Sequence, residues 1–198
     1  MSDTEKQHTA TCDCYTPAPI TPVVKLRTAK RAARKQSRVR RKFWIRGRIL
    51  WRAKKPKHVT VASWKDGVDV FVHHTADPGP RRKDVRKYLR QIQSFHMNTR
   101  GWSDIAYSYL IAPDGSVWEG RGFNVVGAHT EGHNTKGIGI CFMGTFTTKA
   151  PTPAAQAAFT QLHKYLAKKG ARIRGTYGHG DVYPTSCPGA GVRKALDL

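Results

Sequence analysis

Two apolar runs constrain this chain more than any other feature. VDVFVHH at 68–74 alternates apolar and polar positions before turning continuously apolar, and GIGICFMGTF at 137–146 carries no charge to solvate. Both read as buried strands, which need packed layers on their faces. The covers are legible too. After the Pro78-Gly79-Pro80 break, Val85, Tyr88, Leu89, Ile92 and His96 recur at helical spacing and predict an amphipathic helix over 82–98. Thr152 as cap, Pro153 at the first helical position, apolar Ala155, Phe159, Leu162 and Leu166, then Gly170 after two lysines predict a second helix over 153–169. YSYLI and SVWEG flank Pro113-Asp114-Gly115, a turn sequence, and predict a hairpin. RIRGTYGHGDVYPTSCPGAGV reads as a short strand, an irregular loop and a final helical turn at 190–197. The fold class is α/β, in one domain over 59–198 and without internal repeat.

Ahead of that domain the composition changes. Of the 35 lysines and arginines, 17 fall in the first 60 residues with 3 of the 13 acidic residues, so much of the net charge of +22 sits there. Residues 1–22 are polar, with Pro17, Pro19 and Pro22, and are expected to be a disordered tail. Residues 23–58 form a basic segment in which Phe43, Trp44, Ile45, Ile49, Leu50 and Trp51 punctuate the charges. It reads either as a cationic helix that forms on an anionic surface or as a solvated linker. Such a field attracts any polyanion, whether nucleic acid, anionic lipid, lipopolysaccharide or teichoic acid. The four cysteines, at 12, 14, 141 and 187, lack the density of a disulfide scaffold, and Cys141 reads as a small buried hydrophobe. The first thirty residues hold no signal-peptide core, and no stretch approaches the roughly 18 apolar residues of a membrane span. The expectation is a chain made and left in the cytoplasm.

Residue types that suit zinc stand where strands end. His73 closes one strand, and His179 and Cys187 bracket a loop after another. A hydrolytic zinc site needs three protein ligands and a fourth position for water, whose pKa the cation lowers to about 7. Spacing alone leaves the choice open, because several of the nine histidines could serve.

FVHHTA at 71–76, DIAYSYLIAPDGSVWEGRG at 104–122, VVGAHT at 125–130, NTKGIGICFMGTF at 134–146 and GHGDVYPTSCPG at 178–189 occur in an order that resembles the peptidoglycan recognition protein and zinc N-acetylmuramoyl-L-alanine amidase family, whose phage members are lytic enzymes. The resemblance covers about residues 60–195. It implies a central mixed β-sheet flanked by helices, a Zn2+ cofactor held by His73, His179 and Cys187, and hydrolysis of the amide between N-acetylmuramic acid and L-alanine. It makes Tyr107 the residue facing the metal-side water and the developing oxyanion. Thr185 stands where some phage relatives carry lysine, and a neutral hydroxyl offers the oxyanion less than a charge would. His74 and His129 are implied groove residues in contact with substrate, although a histidine at a strand end is as readily satisfied by the backbone. Gly122 and Phe123 occupy the place where family members sort stem peptides by their third residue. Gly-Trp there accompanies meso-diaminopimelate, so Phe123 is a departure. No carboxylate stands out as general base, and Asp181 is equally a partner of a ligand or a loop cap.

The implied partner is bacterial peptidoglycan, with diaminopimelate-type wall as the expectation. Residues 23–58 would add an anionic envelope polymer or membrane surface, with no specific nucleic acid and a monomer by default. A phage enzyme of this kind would wait in the host cytoplasm until released to the wall. Two other classes compete: a receptor that binds peptidoglycan without cutting it, which typically lacks the histidine or cysteine ligand, and a nucleic-acid-binding protein acting through the aromatic-studded basic segment. If the basic segment is separable, a chain starting near Val59 should fold and bind zinc.

Overall fold

In the computed structural model of the chain, which describes residues 44–198, the two apolar runs lie side by side at the centre of a six-stranded sheet. Strand β2 (Val68–His74) pairs in parallel with β5 (Gly137–Phe142), from Asp69 opposite Gly137 to His74 opposite Phe142. β6 (Ile173–Gly178) runs parallel along the other side of β2. Beyond β5 lie β3 (Tyr109–Ile111), parallel to it, and β4 (Val117–Glu119), which closes the expected hairpin antiparallel to β3. A two-residue strand, β1 (Ile45–Arg46), completes the order β1-β4-β3-β5-β2-β6.

Alternation along the strands sends successive side chains to opposite faces. On one face Val70, Val72, Ile138 and Ile140 pack against Phe159, Leu162 and Leu166 of helix α2 (Pro153–Lys168). Leu162 and Leu166 are fully buried, each stabilising by about 1.5–3 kcal/mol. The helix starts where its signature puts it: the Thr152 hydroxyl accepts from the Ala155 amide at 3.2 Å, with Pro153 in the first turn. On the other face Leu110, Trp118 and Cys141 pack against Val85 and Leu89 of helix α1 (Val85–Ser94). α1 continues into a wider π-helical turn, Phe95–Thr99, and a short helix α3 (Ala190–Leu196) ends the chain. Among the described residues no helix is long and apolar enough to cross a membrane.

The fold begins before Val59, which corrects the expected boundary between a basic segment at 23–58 and a domain at 59–198. Residues 44–58 are not a cationic helix. Ile45 and Arg46 pair with Val117 and Trp118, and Arg48–Trp51 form a 3-10 turn that tucks Trp51, fully buried, beneath the sheet. The Trp51 indole donates to the Glu119 carbonyl at 3.0 Å, and Trp44 meets Tyr165 edge-on with ring centres 5.2 Å apart. Arg48 forms an ion pair at 2.8 Å with Asp104, a buried carboxylate that also accepts from Gln93 at 2.7 Å. A two-residue strand and a single tight turn are too short to show a period, so the charge density concealed apolar residues that belong to the core. The expected tail at 1–22 and the basic stretch up to residue 43 lie outside the described residues.

Candidate metal centre

Parallel strands that end together bring the proposed ligands together. Val72 of β2 is opposite Gly178 of β6, so His73 and His179, one residue further on, emerge side by side, their ring centres 4.7 Å apart. Cys187 returns to them on the loop after β6. That loop is drawn in by the Gly180 amide donating to the Cys187 carbonyl at 2.7 Å; a β-carbon at position 180 would overlap the Thr185 carbonyl, so only glycine fits. Asp181 accepts from the Gly178 amide at 2.8 Å and from Arg193 of α3, which makes it a loop clasp and not a partner of a ligand.

One donor atom from each of His73, His179 and Cys187 lies within 4.8 Å of the others. Cys187 Sγ and His73 Nδ1 are 3.7 Å apart. A tetrahedral zinc with sulfur at 2.3 Å and nitrogen at 2.0–2.1 Å would separate two such ligands by about 3.6 Å, so the residues present fit the ion. Burial holds His73 well below the ordinary histidine pKa, and the nearby His129, His179 and His74 press the same way; His179 is lowered by burial as well. Both imidazoles therefore keep lone pairs free at neutral pH. The Cys187 thiol is pushed up to about 11 by burial, against the His74 amide, which donates to its sulfur at 3.5 Å. A cation must displace the thiol proton to bind.

The centre lies in a groove of about 710 Å³. Tyr107 stands beside His73, ring centres 5.3 Å apart, and burial, then the neighbouring Cys141 and Cys187, raises its phenol well above the ordinary value. It remains a hydrogen-bond donor throughout the physiological range. Thr185 is exposed at the rim, its oxygen accepting from the Cys187 amide at 3.3 Å. His74 and His129 also line the groove but are buried, and each has its Nδ1 engaged within the protein: His74 Nδ1 accepts from the Phe146 amide at 3.3 Å, and His129 Nδ1 faces the Thr130 hydroxyl at 2.9 Å. Gly122 and Phe123 do not line this groove; Phe123 packs edge-on against Trp64, ring centres 4.9 Å apart. Cys141 is fully buried, as a small hydrophobe would be.

The opposite wall was not apparent from sequence. Tyr88, Gln91, Ile92 and Phe95 line it from α1 and the π turn, with Arg100 and Trp102 beyond. Phe95 is 47% exposed, and the Arg100 guanidinium lies 5.5 Å from its ring centre. The available signal was apolar residues on α1 in excess of the single stripe a sheet can cover. Asp77, the carboxylate at this end of the groove, accepts from Tyr88 at 2.5 Å and from the Gly79 amide at 2.9 Å.

A mixed sheet with a donor set suited to zinc where its strands end, opening into a groove, defines the class of domain. Residues 67–190 match the family model described as N-acetylmuramoyl-L-alanine amidase, and the chain belongs to that family. It is 39% identical over 126 residues to a human protein named N-acetylmuramoyl-L-alanine amidase, an alignment that takes in 61% of this chain and 22% of that protein's length. It is 41% identical over 124 residues to peptidoglycan-recognition protein SC2 of Drosophila simulans, covering 61% and 67%. Among solved structures, peptidoglycan recognition protein-LE in complex with tracheal cytotoxin, a monomeric diaminopimelic acid-type peptidoglycan, superposes with a TM-score of 0.72 at 32% identity, covering 77% of this chain and 92% of that one. The chain thus spans about a fifth of the human relative and about two thirds of the insect one.

Proposed function

We propose that the protein is a zinc-dependent amidase that hydrolyses the bond between N-acetylmuramic acid and L-alanine in bacterial peptidoglycan. The observation that carries this reading is the complete donor set, His73, His179 and Cys187, converging at the groove floor with Tyr107 beside it. Zinc held there would supply Lewis-acid polarisation of the scissile carbonyl and activation of water. The chain supplies the rest. The Tyr107 hydroxyl, kept protonated by its surroundings, donates to the oxygen on which negative charge develops, and Thr185 adds a neutral hydroxyl from the exposed rim. The α1 wall, with Phe95, Arg100 and Trp102, holds the wall polymer across the centre by apolar contact and charge. A diaminopimelate-type stem peptide is the proposed substrate, supported by the ligand named for the similar recognition protein. The basic N-terminal stretch is proposed to hold the enzyme to an anionic envelope surface.

Relatives named as recognition proteins favour a second reading, binding without cleavage. The two separate by product. Digestion of purified diaminopimelate-type peptidoglycan is expected to release stem peptides with a free L-alanine amino terminus. Tight binding with no new amino termini would leave the receptor reading.

A further inference from the structure

Thr130 is 1% exposed, and its hydroxyl lies between two imidazoles, 2.9 Å from His129 Nδ1 and 3.4 Å from His73 Nε2. The far nitrogen of His129, Nε2, lies 3.4 Å from the Gly137 carbonyl oxygen. A carbonyl oxygen can only accept, so in the neutral ring Nε2 of His129 bears the hydrogen and Nδ1 is an acceptor. The Thr130 hydroxyl must then donate to His129, which leaves its lone pairs for His73. His73 accordingly bears its hydrogen on Nε2 and bares Nδ1, the nitrogen that faces Cys187 Sγ. The direction of the whole chain is set at one end by a group that cannot reverse.

The fold holds this arrangement in place. A β-carbon on Gly127 or Gly139 would overlap the His129 ring, so both glycines make the slot in which it lies. The Asn134 carboxamide oxygen accepts from the His129 amide at 2.7 Å and from the Thr130 amide at 3.0 Å, fixing the backbone that carries both side chains.

We propose that Thr130 and His129 are positioning residues that lock His73 in the tautomer presenting Nδ1 to the metal, through a one-way hydrogen-bond chain anchored on the Gly137 carbonyl. The inference rests on the metal-centre reading above. Partners of metal-bound histidines typically change metal affinity by about 10–100-fold, and the 3.4 Å contact to His73 places the expected effect at the lower end.

The test measures zinc affinity by chelator competition for the wild type, Thr130→Val and Thr130→Ser, together with 15N shifts of the His73 ring in the zinc-free wild type. Thr130→Val is expected to weaken zinc binding about 10-fold, and Thr130→Ser, which keeps the hydroxyl, to restore it to within about 2-fold. The zinc-free wild type is expected to show the Nε2–H tautomer at His73, a readout that does not depend on any variant folding. Equal affinity for wild type and Thr130→Val, or an Nδ1–H tautomer in the wild type, would overturn the inference alone. A wild type that takes up no zinc would overturn it together with the metal centre.

Discussion

Replacing Trp51 by alanine removes the largest side chain that the N-terminal turn contributes to the core. Trp51 is fully buried against α1 and β4, and its indole donates to Glu119 at 3.0 Å. Truncations of buried tryptophan cost about 3–5 kcal/mol, which includes the cavity left behind. A domain of ordinary stability has about 5–15 kcal/mol to lose, so the variant should be folded but visibly weakened. Ile49, two residues earlier in the same turn, is 87% exposed, and Ile49→Ala should stay within about 0.5 kcal/mol of the wild type. A chain beginning at Val59 also loses β1 and leaves Asp104 without Arg48, a further cost of about 3–5 kcal/mol for an unpaired buried charge. Urea unfolding followed by circular dichroism reads all three. The expected order of midpoints is wild type and Ile49→Ala together, Trp51→Ala well below, and no cooperative transition for the chain from Val59. A Trp51→Ala variant within 1 kcal/mol of wild type, or a chain from Val59 as stable as the full one, would refute the placement of residues 44–51 in the core.

Three further outcomes follow from the site and its surroundings. Tyr107→Phe should lower kcat by about 100-fold while leaving zinc affinity unchanged, because the lost hydroxyl serves the transition state and not the metal; equal losses in zinc binding would argue against that division. Zinc at about 1,000 times its dissociation constant should stabilise the wild type by about 4 kcal/mol, an increment that chelator removes and that Cys187→Ala never shows; a persistent increment in that variant would place the ion elsewhere. His96, pushed down to about 4 by burial, with Arg121 and Arg100 adding to the effect and Asp104 opposing it, accepts from the Ala106 amide at 3.1 Å. Between pH 6.5 and 4 the unfolded chain binds a proton there that the folded one refuses, so this contribution, about 3 kcal/mol, is complete above pH 6.5 and lost as pH falls to 4. His96→Asn should flatten the stability profile over that window by about one proton, and an unchanged slope would contradict the assignment.

The sequence showed the elements that repeat a period over enough residues to be seen. The strands at 68–74 and 137–146 and the helix from Pro153 stand close to where patterning put them, because burial on a sheet and a capped start act locally. The ligand set was legible only through the resemblance, since the adjacency of His73 and His179 is a matter of β2–β6 register, which no spacing in the chain encodes. Trp44 to Trp51 escaped because two paired residues and one turn have no period and sit in a run of charge. Phe123 and Trp64 were separated by 59 positions, so nothing local marked Phe123 as a packing residue. Thr130 stands in VVGAHT with nothing local to mark it, because its importance depends on a histidine 57 residues away.

The most direct test of the amidase reading is hydrolysis of a defined muramoyl-L-alanyl peptide in 18O-enriched water by the zinc-loaded protein, with Cys187→Ala and chelated protein alongside. The expected result is one 18O in the lactyl carboxylate, a free amine on L-alanine, and neither product in the two controls. Substrate bound but recovered intact, or label appearing at another bond, would contradict it.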